Sequence, residues 1–157
     1  MPETSSAEKA FSFALRYLSY RPRSEFEVRQ RLQGRYQNQV TGLVIARLKQ
    51  QGLLDDKAFA HAWSQSRISS RPRSALLIRR ELLRKGVDQE TAKAEVATLD
   101  DETSAYDAAL RGAKSLSRED YTSFRRRMWG YLYRRGYGKG VILRTVRRLW
   151  EDGLGKV

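Results

Sequence analysis

Arg21-Pro22-Arg23-Ser24 returns fifty residues later as Arg71-Pro72-Arg73-Ser74, and recurrence of a string at a fixed interval marks a tandem repeat. The same shift carries an apolar frame with it. Ala10 falls on Ala60 and Leu110, Val28 on Ile78 and Met128, and Leu32 on Leu82 and Leu132. Further on, Gly86 falls on Gly136, Val96 on Val146 and Leu99 on Leu149, so a third unit keeps the frame without the Arg-Pro-Arg-Ser string. Three copies of one unit are predicted, over residues 1–54, 55–99 and 100–157.

Apolar residues inside each copy follow helical spacing, as in Phe11, Ala14, Leu15, Leu18 and in Val28, Leu32, Tyr36, and no alternating strand-like run is present. Ser5 with Glu8 and Ser24 with Glu27 fit the capping box, in which hydroxyl and carboxylate satisfy orphan amides reciprocally. Asp55, Ser74, Asp88 and Ser117 are further expected caps. Gly52, Gly86, Gly136 and Gly153 stand where a helix stop needs a left-handed residue. Pro22 and Pro72 push the residue before them out of helical geometry and so open new helices. Three helices per copy follow: 7–20, 24–36 and 40–51; 56–69, 74–85 and 88–98; 103–115, 118–135 and 139–152. The expected fold is all-α, three tandem three-helix repeats in an elongated array that can curve.

Composition removes much chemistry. The chain has 157 residues, 40% hydrophobic and 31% charged, as a folded soluble protein does. No run approaches ~20 uncharged apolar residues, so no membrane partner is expected. The first residues lack the basic end and apolar run of a secretory signal, which makes the cytoplasm the expected address. With no cysteine and His61 alone, thiolate sites and histidine clusters are excluded. No phosphate-binding glycine loop, zinc-protease motif or Ser-His-Asp spacing occurs, so neither catalytic residues, a metal nor a cofactor is expected. Acidic groups gather at Asp55 with Asp56 and at Asp100, Asp101 and Glu102, where helix capping explains them better than a metal pair does.

Charge points to the partner. Thirty-one basic residues against 18 acidic leave a net +13, a surplus that suits an anionic polymer or a strongly acidic partner. From residue 103 onward, 13 basic residues face 5 acidic ones, too one-sided for a surface that serves solubility alone. Arginine dominates, and its planar fork pairs bidentately with phosphate or carboxylate. Tyr121, Phe124, Met128, Tyr131 and Leu132 fall on a core stripe, and Phe13, Trp63 and Trp150 are also read as core. Tyr133 and Tyr137, beside Arg134 and Lys139, are read as surface aromatics, and His61 as a surface or boundary residue.

Leu54, Asp55, Asp56, Phe59, Ala60, Trp63, Ser66 and Arg67, followed by Ile78, Arg79, Glu81, Leu82, Lys85, Gly86 and Val87, resemble the RecX family, bacterial regulators of the RecA recombinase. Ala14, Leu18, Arg21, Ser24, Glu27, Val28 and Leu32 look like the family's opening unit. Leu132, Arg134, Arg135, Gly136, Tyr137 and Ile142 look like its closing one, and the similarity covers residues 8–152. Where the family commonly has an Arg-Gly-aromatic-Gly turn, this chain has Arg71-Pro72-Arg73-Ser74. The resemblance implies a non-enzymatic modulator that lies along the RecA nucleoprotein filament on single-stranded DNA, and a monomer is expected. It also implies restraint of RecA's ATP hydrolysis, filament extension and strand exchange. The residues expected to meet RecA or DNA are Arg67, Arg71, Arg73, Arg79, Arg80, Arg125, Arg126, Arg127, Arg134, Arg135, Lys139, Arg144, Arg147 and Arg148. The competing expectation is a helix-turn-helix-like protein reading double-stranded DNA with a basic helix. A metal nuclease built on the acidic joints is a third.

Overall fold

The computed structural model describes residues 2–114 and 120–153, over which the chain forms nine α-helices and no strand. They are α1 (Pro2–Tyr20), α2 (Glu25–Gln33), α3 (Asn38–Gln50), α4 (Asp56–Ser70), α5 (Ala75–Arg84), α6 (Gln89–Val96), α7 (Asp101–Ala113), α8 (Tyr121–Arg134) and α9 (Lys139–Glu151). The all-α, helical-repeat reading holds.

Local chemistry explains the ends. Ser24 Oγ accepts from the Glu27 amide at 3.2 Å while the Glu27 carboxylate takes the Ser24 amide at 3.4 Å, which completes the expected capping box. Asp55, Ser74 and Asp88 accept amides of the first turns of α4, α5 and α6 at 2.9, 3.1 and 2.8 Å. Gly52, Gly86, Gly136 and Gly153 all have φ between 72° and 89°. Two expectations fail or fall elsewhere. Helix α1 begins at Pro2, so Ser5 lies inside it and caps nothing; proline is tolerated at a helix start because the amide it lacks would be unsatisfied there. Ser117 lies outside the described residues, and α8 is capped by Asp120, which accepts the Ser123 amide at 2.9 Å.

The chain divides into two compact units, Met1–Trp63 with Glu81–Glu95, and Ser64–Arg80 with Val96–Val157, so α4 and α5 each contribute to both. In the first unit α1, α2 and α3 pack on one another around Ala10, Ala14, Val28, Leu32, Val44 and Leu48, with Phe13 partly buried against them. Two further contacts tie α2 to later sequence within this unit. The Glu25 amide donates to Asp56 at 2.9 Å, and the Ser24 hydroxyl donates to the Lys85 carbonyl at 2.5 Å. Beside the latter, Gly86 sits so close to Phe26 that a Cβ there would fall 2.2 Å from the Phe26 Cβ.

The second unit repeats this scheme, its helix bundle about a hundred residues on and the accompanying contacts about fifty. Helices α7, α8 and α9 enclose Ala105, Ala109, Phe124, Met128, Leu132, Ile142, Val146 and Leu149, with Trp150 partly buried against them. The Ala75 amide donates to Asp101 at 2.8 Å, the Ser74 amide donates to the Arg135 carbonyl at 3.0 Å, and a Cβ on Gly136 would fall 2.4 Å from Ser74 Oγ. Tyr137 corrects the sequence reading: it is 2% exposed rather than a surface aromatic. It follows the left-handed Gly136, and the chain reversal there returns it to the core while its amide donates to the Leu132 carbonyl. Val87 after Gly86 does the same, also at 2% exposure. The Tyr137 hydroxyl is bonded to Ser104, and burial pushes it up to about 12. Tyr121 departs in the other direction, 40% exposed and edge-on to Trp150, because it is the first residue of α8 and lies at the rim of the packed face.

Candidate anion-binding groove

Ser70, Arg71, Pro72, Arg73, Leu77, Arg111, Tyr131, Arg134 and Arg135, all in the second unit, line an open groove of about 510 Å³. Three stretches supply them: the end of α4 with the turn and first residues of α5, the end of α7, and the end of α8 with the residue after it. Arg111 donates to the Ser70 carbonyl at 2.7 Å and to the Ser69 carbonyl at 2.8 Å. Those carbonyls close α4, where a helix gathers partial negative charge that a guanidinium offsets. Arg135 donates to the Tyr131 carbonyl at 3.0 Å and lies 3.5 Å over the Tyr131 ring. The ring in turn needs Gly112, since a Cβ there would come within 2.8 Å of Tyr131 Cζ.

Five arginines meet along this lining, and among the described residues no Asp or Glu lines it. Their mutual repulsion falls when an anion enters, and each planar fork offers paired donors to carboxylate or phosphate oxygens. The groove thus joins two clusters that are more than 60 residues apart in sequence, Arg71 with Arg73 and Arg134 with Arg135. It adds two residues that the sequence reading missed as site residues. Arg111 is a single cation in an alanine-rich helix, with no local signal, and Tyr131 fits the core stripe but is only half-buried.

The remaining expected contact residues lie elsewhere. Arg67 is half-buried near the end of α4. Arg80 is exposed on α5, while Arg79 is half-buried with its Nε enclosed and lacking a hydrogen-bond partner. Arg125, Arg126 and Arg127 are exposed on α8, and Lys139 is exposed at the start of α9. On α9 each arginine has a carboxylate at hand: Arg144 reaches Glu102 at 2.8 Å, Arg147 reaches Glu151 at 3.0 Å and Arg148 lies 4.0 Å from Asp152. The α9 cations are therefore partly neutralised.

The acidic joints have structural work. Asp55 and Asp100 cap helices, Asp56 and Asp101 accept the first amides of α2 and α5, and Glu102 pairs with Arg144. Burial pushes the Asp56 and Asp101 carboxyls above the usual range, although the amide each accepts pulls the other way. Among the described residues no group of three or more His, Asp or Glu is arranged to hold a metal. His61 is exposed, 3.2 Å from Glu95.

Repeated three-helix bundles with charged chemistry concentrated on arginine define an all-α helical-repeat protein. Residues 10–48 match the family model for the first three-helix domain of RecX, and residues 55–94 match that for the second. The chain is 32% identical over 155 residues to a regulatory protein RecX of Streptomyces coelicolor, covering 96% of this chain and 82% of the relative. It is also 32% identical over 149 residues to a RecX of Chlorobium limicola, covering 94% of each. In fold it is similar to the crystal structure of RecX from Lactobacillus salivarius, with a TM-score of 0.81 at 20% identity over 94% of this chain and 99% of that one. A second RecX crystal structure gives 0.71 at 23% identity, over 89% and 71%. The chain belongs to the RecX family of regulatory proteins.

Proposed function

We propose that this protein regulates RecA by binding its filament on single-stranded DNA, restraining ATP hydrolysis, filament extension and strand exchange without catalysis of its own. It acts in the cytoplasm as a monomer. The observation that carries the reading is the groove of five arginines, with no carboxylate among its described lining residues, in a chain of net charge +13, together with family membership. Basic faces repeated along one chain give several weak contacts. Such contacts act multivalently on a polymer and favour it over a free protomer.

The test is RecA's DNA-dependent ATPase with the protein added well below one copy per protomer. Inhibition at that ratio is expected of a filament modulator. Inhibition only at coating ratios, with preference for one duplex sequence, would instead support a sequence-reading DNA-binding protein.

A further inference from the structure

The two Arg-Pro-Arg-Ser copies differ in one respect that chemistry makes consequential. In the first, the Glu27 carboxylate lies between two cations: Arg21 at 3.0 Å, from the turn before α2, and Lys85 at 2.9 Å, from the end of α5. Its side chain is only 10% exposed. A shift of fifty residues puts Arg71 on Arg21, Arg135 on Lys85 and Leu77 on Glu27. The backbone frame is kept, because Ser74 caps the Leu77 amide at 3.1 Å as Ser24 caps that of Glu27 at 3.2 Å, and Gly136 lies against Ser74 and Leu77 at the start of α5 as Gly86 lies against Phe26 at the start of α2. The second copy therefore retains both cations and lacks the anion that joins them in the first.

We propose that this slot takes an acidic side chain from a protein partner, its carboxylate sitting among Arg71, Arg135 and their neighbours as Glu27 sits between Arg21 and Lys85. A carboxylate is the occupant that the first copy displays, and the groove's described lining residues supply none. Arg111 and Arg134 add cations, so a short segment with more than one acidic residue matches the charge better than an isolated one. The inference goes beyond the proposed function and is tested without RecA.

The decisive variant is Leu77→Glu, which supplies the missing carboxylate from within. The probes are a fluorescent peptide of alternating Glu and Gly, its Gln counterpart and an oligothymidylate of similar charge, measured by anisotropy with the full chain. The Glu peptide is expected to bind in preference to the Gln peptide. Leu77→Glu is expected to weaken it about tenfold or more, the scale of one charge-assisted pair, while oligothymidylate changes less. Arg71→Gln, at an exposed position, is expected to weaken the same peptide and serves if Leu77→Glu lowers the melting temperature. Glu-peptide affinity unchanged in both variants overturns the proposal, as does a larger loss for oligothymidylate, which would make the slot a phosphate site. Absence of RecA inhibition by the native chain would defeat the proposed function alone.

Discussion

The Ser24 hydroxyl donates to the Lys85 carbonyl across 61 residues of sequence, while the same oxygen accepts the Glu27 amide that it caps. One side chain thus closes the start of α2 and satisfies a carbonyl at the end of α5. Ser24→Ala removes both bonds and is expected to cost about 2–3 kcal/mol, a cap together with an orphaned carbonyl. Urea unfolding measures it; a loss of only a few tenths would show that water replaces both partners.

Gly86→Ala is expected to cost more than Gly52→Ala. Both glycines have positive φ, 81° and 72°, but a Cβ on Gly86 meets Phe26 whereas nothing lies within 4 Å of one on Gly52. The comparison isolates the close approach from the backbone strain, which is shared. Equal shifts in melting temperature would mean that Phe26 simply turns aside.

Burial pushes the Glu27 carboxyl up, but its bonds to Arg21 and Lys85 outweigh that and hold it below its ordinary value. A lowered pKa contributes stability that is complete above the ordinary carboxylate range. That stability is lost as pH falls through the folded value, because the unfolded chain takes up the proton first. The native chain is therefore expected to lose more stability on acidification from pH ~6 to ~3 than Glu27→Gln does. Parallel melting curves for the two would remove Glu27 from the account.

Asp101 has the opposite sign. Burial holds its carboxyl above the usual range against the pull of the Ala75 amide, with Asp100 and Glu102 adding repulsion. A raised value favours the neutral form in the fold, so its contribution is greatest at low pH and declines as pH rises through the folded value. Asp101→Asn keeps an acceptor for the Ala75 amide without the charge, and is expected to match or exceed the native stability at neutral pH. Asp101→Ala is expected to lose about 1 kcal/mol. A destabilised Asp101→Asn would show that the carboxylate charge itself is needed at the start of α5.

The arginines divide into two sets with different expected effects on RecA. Arg71→Glu with Arg134→Glu puts acid among the groove's arginines, whereas Arg147→Glu with Arg148→Glu alters cations already beside Glu151 and Asp152. The first pair is expected to weaken inhibition of the RecA ATPase more than the second, with helicity unchanged by circular dichroism. The reverse ranking would move the contact surface to α9.

Positions governed by local chemistry could be read from the chain. Val28, Ile78 and Met128, like Leu32, Leu82 and Leu132, are each 0% exposed, because helical spacing and a fifty-residue period suffice to mark a buried stripe. Ser24, Asp55, Ser74 and Asp88 cap as their residue types and spacing require, since a cap and the amide it accepts lie within three residues. Tyr137 could not be read this way: its basic neighbours suggest surface, yet the turn at Gly136 carries it inward.

Groups that act through space needed the folded chain. Nothing near Arg111 in sequence announces that it will hold the carbonyls of Ser69 and Ser70, and nothing near Glu27 announces Lys85. Helix formation and capping are settled over a few residues by backbone sterics and hydrogen bonding. Whether a charge is compensated depends on distance in space, and folding brings Arg71, Arg111 and Arg135 to one groove while giving Glu27 to the cations of its counterpart.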